Sequence, residues 1–205
     1  MTSLKLFLKS YWEYYLELEE QLLETKRFVA FDKTNKRSFS IEYLKLYQAV
    51  CSEIDVVGKE IAVSINPGFK INNRTNVKKW GYEVKQKFKL KDYIILFNER
   101  EQLQPFINWE YEKYTVQTKK GEKRQELRIK GSKESIIWWR NYNNIKHRRI
   151  GLVEGTNNFQ LANQQNLILA FSALFLLETV YIDELKKSET AEFQESSLFK
   201  MVEAK

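Results

Sequence analysis

Residues that break helices are scarce in this chain, and this scarcity limits the folds it can adopt more than any other feature does. Only 2 Pro and 7 Gly occur among 205 residues. Turn-rich β-sandwiches and linker-rich chains use more of both, because Pro lacks a backbone donor and Gly permits sharp turns. The hydrophobic share of 43% is enough for one buried core. A globular domain with long helices is therefore predicted.

Four long segments place apolar residues three or four positions apart, which is the spacing of one helix face. The predicted helices span about 3–29, 40–65, 133–149 and 160–187. Serine, a good N-cap, precedes three of them, at Ser3, Ser40 and Ser132. Asn66-Pro67-Gly68 ends the second helix, and Gly151 the third.

The fourth predicted helix is apolar on nearly every side. Such a helix is either central to the core or part of an oligomer interface. Its longest apolar stretch, Leu167 to Val180, is too short to span a bilayer. The N-terminal segment 4–9 alternates Leu and Phe with Lys and lacks the apolar run of a signal peptide. We therefore expect a cytoplasmic protein with no membrane partner.

The segment between the second and third helices, about 66–130, has a different pattern. Residues 74–88 predict a short basic helix with Val77, Trp80, Val84 and Phe88 on its apolar face. The apolar run 93–97 is typical of a buried strand, and residues 111–117 and 126–130 flank a turn-forming Lys-Lys-Gly-Glu at 119–122, as in a β-hairpin.

Together these patterns predict an all-α protein, a four-helix up-down bundle with a short helix and a β-hairpin inserted between the second and third long helices. Residues 1–187 form the single predicted domain, with the excursion at about 66–130. Residues 188–205 are polar and are predicted to be a frayed C-terminal tail.

Several kinds of site are disfavoured by residue content. The single cysteine, Cys51, has no second cysteine for a disulfide, and its apolar surroundings predict a buried, inert thiol. The sequence lacks a His/Cys/Asp cluster that would hold a metal and a glycine-rich loop that would hold a nucleotide phosphate. We therefore expect no metal and no cofactor.

Charge is distributed unevenly along the chain. From Lys70 to Ile150 there are 21 Lys and Arg against 9 Asp and Glu, a balance of +12, so the remainder carries −5. This asymmetry indicates an anionic partner, with nucleic acid favoured over a membrane surface. A solvated basic face without a partner is the alternative.

The third predicted helix contains the most polar cluster of functional residue types. Residues 138–149 are WWRNYNNIKHRR, and His147 is the only histidine. Arg140 and His147 are two helical turns apart on one face, with Asn143 and Asn144 between them. Histidine can exchange protons near neutral pH and arginine can hold phosphate oxygens, so this pattern suits phosphodiester cleavage without a metal. A structural histidine is the alternative.

Three further cations flank this histidine. Lys146, Arg148 and Arg149 are predicted to hold RNA phosphates together with Asn143 and Asn144. The same cations would also stabilise the negative C-terminal end of the helix, with no ligand required.

Arg140, Asn141 and His147 resemble the Arg-(four to six)-His motif of the HEPN superfamily, in which a polar residue typically follows the arginine. The surrounding string also resembles a HEPN-like group of uncharacterised bacterial proteins. The resemblance implies an all-α bundle and a metal-independent endoribonuclease that leaves a 2′,3′-cyclic phosphate. It further implies a homodimer, a role in toxin–antitoxin or abortive-infection systems, and a cognate antitoxin or other protein partner. Arg140 and His147 would then be the catalytic pair and Asn141 the supporting residue.

Two other functions fit the same residues. One is a non-catalytic helical module that binds RNA, a nucleotide or a protein partner, and the other is a structural oligomerisation domain. Dimerisation has its own physical argument, because a twofold axis would bring Arg140 of one chain near His147 of the other. The apolar fourth helix is the predicted source of such a surface.

Overall fold

The protein is described by a computed structural model covering residues 2–117, 121–129, 136–153 and 155–203. Of these described residues, 53% are helical and 17% lie in three small antiparallel sheets. The prediction of an all-α four-helix bundle is therefore wrong, and the protein has a mixed α and β fold.

Five helices form most of the structure within those ranges. Helix α1 has an α-helical turn, a π-helical segment and a longer α-helical segment that follow one another: Leu4–Phe7, Leu8–Trp12 and Glu13–Thr25. The other helices are α2 (Ile41–Ile65), α3 (Val77–Lys87), α4 (Ile137–His147) and α5 (Gln164–Leu185). Short 3₁₀ turns occur at Lys33–Asn35, Leu90–Asp92 and Asn158–Leu161.

Local sequence signals place the start of α1 and both ends of α2 correctly, while the other ends of the long helices differ from the predictions by two to four residues. The Ser40 hydroxyl accepts a hydrogen bond from the Tyr43 amide at 3.0 Å, and α2 ends at Ile65 before Asn66. Ser3 caps α1 in the same way. Helix α4 is shorter than predicted, because it begins after Ile136, which has a left-handed backbone with φ of 48°. The cap predicted at Ser132 lies outside the described residues.

The strands form three separate antiparallel sheets. They are β1 (Tyr93–Phe97), β2 (Glu101–Leu103), β3 (Tyr111–Gln117), β4 (Lys123–Ile129), β5 (Leu152–Val153), β6 (Thr156–Asn157) and β7 (Phe199–Glu203). Strands β3 and β4 form the predicted hairpin, with Tyr111 opposite Ile129. Strand β1 is the predicted apolar run, and it lies between β2 and β7.

The C-terminal segment is not the frayed tail that its polarity predicts. Strand β7 pairs with β1 along its whole length, from Phe97 opposite Phe199 to Tyr93 opposite Glu203. The buried Glu19 carboxylate holds the preceding turn, since it accepts hydrogen bonds from the Ser197 amide at 2.8 Å and the Ser197 hydroxyl at 2.9 Å. One buried carboxylate on α1 thus orders a segment nearly 180 residues away.

Helix α5 is the centre of the core. Of its 22 residues, 17 are buried, and it packs against α1, α2 and α4 and against strands β1 and β7. Among the described helices it is the one long and apolar enough to cross a membrane, yet 83% of its most apolar window is buried inside the protein, as in the core helix of a soluble protein. Its apolar surface therefore contacts other parts of the same chain and is not available for the predicted dimer interface.

Two glycines let the excursion pack closely on the helices. A Cβ at Gly58 in α2 would lie 2.5 Å from the Trp80 ring of α3, and one at Gly81 would lie 2.2 Å from the ring of Trp109. Trp80 and Trp109 themselves pack edge to face, with ring centroids 5.6 Å apart. These contacts hold α3 against α2, and the Tyr111 hydroxyl ties the hairpin to α3 through the Val77 carbonyl at 2.9 Å.

Candidate functional site

A cleft of about 970 Å³ opens between α4, α2, the start of α3 and the β3–β4 hairpin. Helix α4 is anchored at its apolar side, where Trp138 donates from its indole to the Pro105 carbonyl at 2.9 Å and accepts from the Tyr47 hydroxyl through its backbone oxygen. Its opposite side faces the cleft. The charged and amide side chains of the lining are Asp55, Asn76, Lys78, Glu112, Arg128, Arg140, Asn143, Asn144 and Lys146.

Four predicted site residues line this cleft. Arg140, Asn143 and Asn144 are half-buried there, and Lys146 is exposed. The Asn143 amide donates to the Trp139 carbonyl at 2.9 Å, which holds this side chain along the helix. The arrangement offers cationic and amide groups along two turns of a rigid helix, which is suited to an anionic ligand.

His147, the predicted catalytic histidine, is exposed but does not line the cleft. It is the last residue of α4, and the exposed Arg148 and Arg149 follow it. The Arg149 guanidinium donates to the Gln48 side chain of α2 at 3.4 Å. Gln48 is one helical turn before Ser52, a lining residue, so the surface of α2 connects the end of α4 to the cleft.

Asn141, the predicted supporting residue, is only 5% exposed and does not line the cleft. Arg140 and Asn141 are neighbours in sequence, but a helix turns about 100° between them, so they face different surroundings. A different asparagine, Asn158, contacts the C-terminal end of α4, and sequence reasoning missed it. Its amide donates to the carbonyls of Asn144 at 3.2 Å and Arg148 at 2.6 Å, so it holds the turn that follows His147.

The hairpin contributes the wall opposite α4. The Arg128 guanidinium donates to Glu112 at 2.6 Å and lies 5.0 Å from the centroid of the Tyr114 ring. The Tyr114 hydroxyl donates to Glu126 at 3.0 Å, and this hydrogen bond raises the pKa of Tyr114. Tyr114 therefore remains neutral at physiological pH and presents an aromatic surface beside a cation.

Both carboxylates in the lining are already paired. Asp55 accepts from the Trp80 indole at 2.8 Å and from Lys59, and Glu112 accepts from Arg128. With Lys78, Arg128, Arg140 and Lys146 opposed by Asp55 and Glu112, the lining carries a formal charge of +2. The cleft therefore favours an anion over a cation.

Lys78 and Tyr114 in this wall are site residues that sequence reasoning did not find, while Arg128 belongs to the basic run 113–133, for which a nucleic-acid contact and a solvated hairpin are both compatible with the sequence. They lie in the excursion, and no local pattern indicates that the excursion folds back over α4.

Burial raises the pKa of the Cys51 thiol well above its usual range, which agrees with the predicted buried, inert role. Within the described ranges no group of three or more His, Cys, Asp or Glu side chains is placed to hold a metal ion.

Comparison of the chain with protein-family models, with curated proteins and with solved structures finds no match.

Proposed function

We propose that this protein binds single-stranded RNA in the α4 cleft and cleaves it by metal-independent chemistry at His147. The observation that carries the proposal is the placement of His147. It stands exposed at the end of the helix whose two preceding turns line a cationic cleft. A bound strand leaving the cleft along α2 would pass beside the imidazole.

The residues that line the cleft suit the phosphates, sugars and bases of a single RNA strand. Arg140 and Lys146 are placed to hold phosphates, and the amides of Asn143 and Asn144 can read or orient the sugar and base. The half-buried rings of Tyr114 and Trp139 border the cleft from opposite walls and offer surfaces for stacking bases. A strand with its bases already paired would not have them free for such stacking.

The proposed reaction is a transesterification within the RNA strand. His147 takes the proton from a ribose 2′-hydroxyl, and that oxygen attacks the adjacent phosphorus. The bond from phosphorus to the 5′-oxygen breaks, and the leaving oxygen takes a proton from water. The products are a 2′,3′-cyclic phosphate and a 5′-hydroxyl end, and Arg140 or Arg149 stabilises the charge that builds on the phosphate.

Part of this proposal rests on the resemblance of Arg140, Asn141 and His147 to the HEPN motif. On that basis we propose a cytoplasmic, homodimeric ribonuclease of bacterial toxin–antitoxin or abortive-infection systems. The mixed α and β fold departs from the bundle that the resemblance implies, so the motif helix and the distribution of charge support this assignment more than the architecture does. Any dimer would use a surface other than α5, which is buried.

A specific observation favours a second candidate, a non-catalytic module that binds RNA. His147 does not line the cleft that holds Arg140, Asn143 and Asn144. If the cleft alone contacts RNA, the protein binds without turnover, and the histidine serves only the end of the helix.

Binding and cleavage are tested separately. Binding is measured by fluorescence anisotropy with a labelled single-stranded RNA, and cleavage by gel with end-labelled RNA in EDTA. We expect Arg140→Ala to weaken binding by about tenfold, the effect of losing one charge-assisted contact of about 1.4 kcal/mol. Arg27→Ala, at an exposed arginine outside the cleft lining, is the matched control and should bind as the unmodified protein does.

For His147→Ala we expect cleavage to fall by at least about a hundredfold while binding changes less than about threefold. Cleavage that persists in His147→Ala would eliminate the proposed mechanism. Binding without cleavage by the unmodified protein would establish the second candidate. Equal binding by the Arg140→Ala and Arg27→Ala variants would remove the cleft from RNA recognition altogether.

A further inference from the structure

A cluster of exposed apolar side chains lies directly beyond the C-terminal end of α4. We name it the apolar patch, and its members are Phe39, Ile41, Ile150, Leu152 and Phe159. Ile150 is 83% exposed, Ile41 73% and Leu152 68%. Single exposed apolar residues are common on proteins, but several together normally mark a contact surface.

The patch is assembled from two parts of the chain that the structure brings together. The rings of Phe39 and Phe159 pack edge to face, with centroids 5.5 Å apart. The Phe159 amide donates to the Arg149 carbonyl at 3.1 Å, which places that ring next to the loop holding Ile150. Leu152 is opposite Asn157 in the β5–β6 pair, so these apolar residues are held by backbone hydrogen bonds.

Exposed cations adjoin the patch along the chain. Arg148 and Arg149 directly precede Ile150, and Arg37 is two residues before Phe39. The nearby carboxylate of Glu42 is occupied by Lys45 at 2.7 Å. Aromatic and other apolar side chains together with arginine are enriched in protein–protein contacts, in which the centre is dry and the rim is polar.

The charge of this rim decides between the candidate occupants. A second copy of the chain on a twofold axis would bring the same cations together, which opposes association. RNA would gain from the cations but would leave the apolar side chains without suitable contacts. We propose that the apolar patch binds another protein, through a segment whose apolar side chains are flanked by carboxylates.

Such a partner would cover the end of α4. His147 is only three residues before Ile150 in the chain. A partner segment bound on Ile150 and Leu152 would therefore also block access to the imidazole. If the proposed function holds, the partner is therefore an inhibitor of RNA cleavage. The binding proposal itself does not depend on that activity.

The test uses two synthetic, fluorescein-labelled peptides that form amphipathic helices with leucines at the same positions. One has Glu at its polar positions and the other has Lys. We expect the Glu peptide to bind the full chain at least about tenfold more tightly than the Lys peptide, and about tenfold more weakly after Ile150→Ser combined with Leu152→Ser. Phe28→Ser is the matched control, since Phe28 is 86% exposed and outside the patch.

The same double variant is assayed for RNA binding and for oligomeric state by sedimentation. We expect RNA affinity to stay within about twofold of the unmodified protein, since both substituted residues lie outside the cleft. Equal binding of the two peptides, or loss of binding in Phe28→Ser as well, would overturn the proposal. Self-association, or RNA binding, that disappears in the double variant would assign the patch to a second copy or to RNA instead. Failure of Arg140→Ala to affect RNA binding would contradict only the proposed function.

Discussion

At the scale of single residues, two buried carboxylates have opposite environments. Glu19 receives hydrogen bonds from Tyr15, Ser196 and Ser197, so its charge is stabilised and holds the C-terminal turn. Glu178, at the centre of α5, is fully buried, and neither of its oxygens has a hydrogen-bond partner in the described part of the chain. Burial, together with the charge of Glu53, raises the pKa of Glu178 well above its usual range.

This environment predicts a pH dependence of stability. A carboxyl with a raised pKa in the folded state contributes stability that is fully present below its unfolded pKa, about 4.5, and lost as the pH rises toward its folded pKa. We expect the free energy of unfolding to fall between about pH 5 and pH 8, and Glu178→Gln to remove roughly 1–3 kcal/mol of that fall. Urea denaturation at both pH values measures it, with the exposed Glu20→Gln as control. An identical pH dependence in both variants would contradict the prediction.

At the scale of elements, local patterns predicted the helices, the β3–β4 hairpin and β1, because each depends on periodicity and turn residues within one segment. The Ser40 cap and the end of α2 before Asn66 follow the same logic. Strand β7 was missed because its partner β1 is about a hundred residues away, and its pairing depends on the Glu19 contacts. Nothing within 188–205 indicates that partner.

The contact between α2 and α3 gives a prediction in which two effects compete. Alanine is a better helix former than glycine by about 1 kcal/mol, so Gly58→Ala would stabilise an isolated helix. In the folded protein the added Cβ would meet the Trp80 ring at 2.5 Å, and this overpacking costs about 1–3 kcal/mol. We expect the overpacking cost to outweigh the helix propensity, so that Gly58→Ala lowers the free energy of unfolding by up to about 2 kcal/mol.

Thermal and urea unfolding measure that change. Ser52→Ala, at an exposed position of the same helix, is the control, because there alanine gains helix propensity without a clash. A Gly58→Ala variant as stable as Ser52→Ala would mean that Trp80 moves freely, and that α3 is not held by this close contact.

At the scale of the whole molecule, charge is separated between surfaces. The basic central segment supplies the cleft, while α1 exposes an acidic stripe of Glu13, Glu17, Glu20 and Glu24 outside it. If the proposed RNA binding holds, this separation directs the strand toward the cleft and away from α1, and the four lining cations determine how binding responds to salt.

If the cleft binds single-stranded RNA through Lys78, Arg128, Arg140 and Lys146, counterion release gives a predictable slope. We expect log K to fall against log salt concentration with a slope of roughly −2 to −3, and Arg140→Ala to reduce its magnitude by about 0.7. Anisotropy titrations across a series of NaCl concentrations measure both values. A slope near zero, or one unchanged by Arg140→Ala, would show that ion pairs with phosphate do not drive binding.

The sequence by itself determined where most helices lie, which of their faces are buried, and that Arg140, Asn143 and Asn144 share a helix surface. Those properties follow from hydrogen bonds and periodicities of only a few residues. Only the tertiary structure decided that β7 completes a sheet, that α5 is buried in the core and that the hairpin forms the wall of the cleft opposite α4. It also decided that His147 stands outside that cleft. These outcomes depend on packing between segments distant in sequence, for which local spacing has no signal.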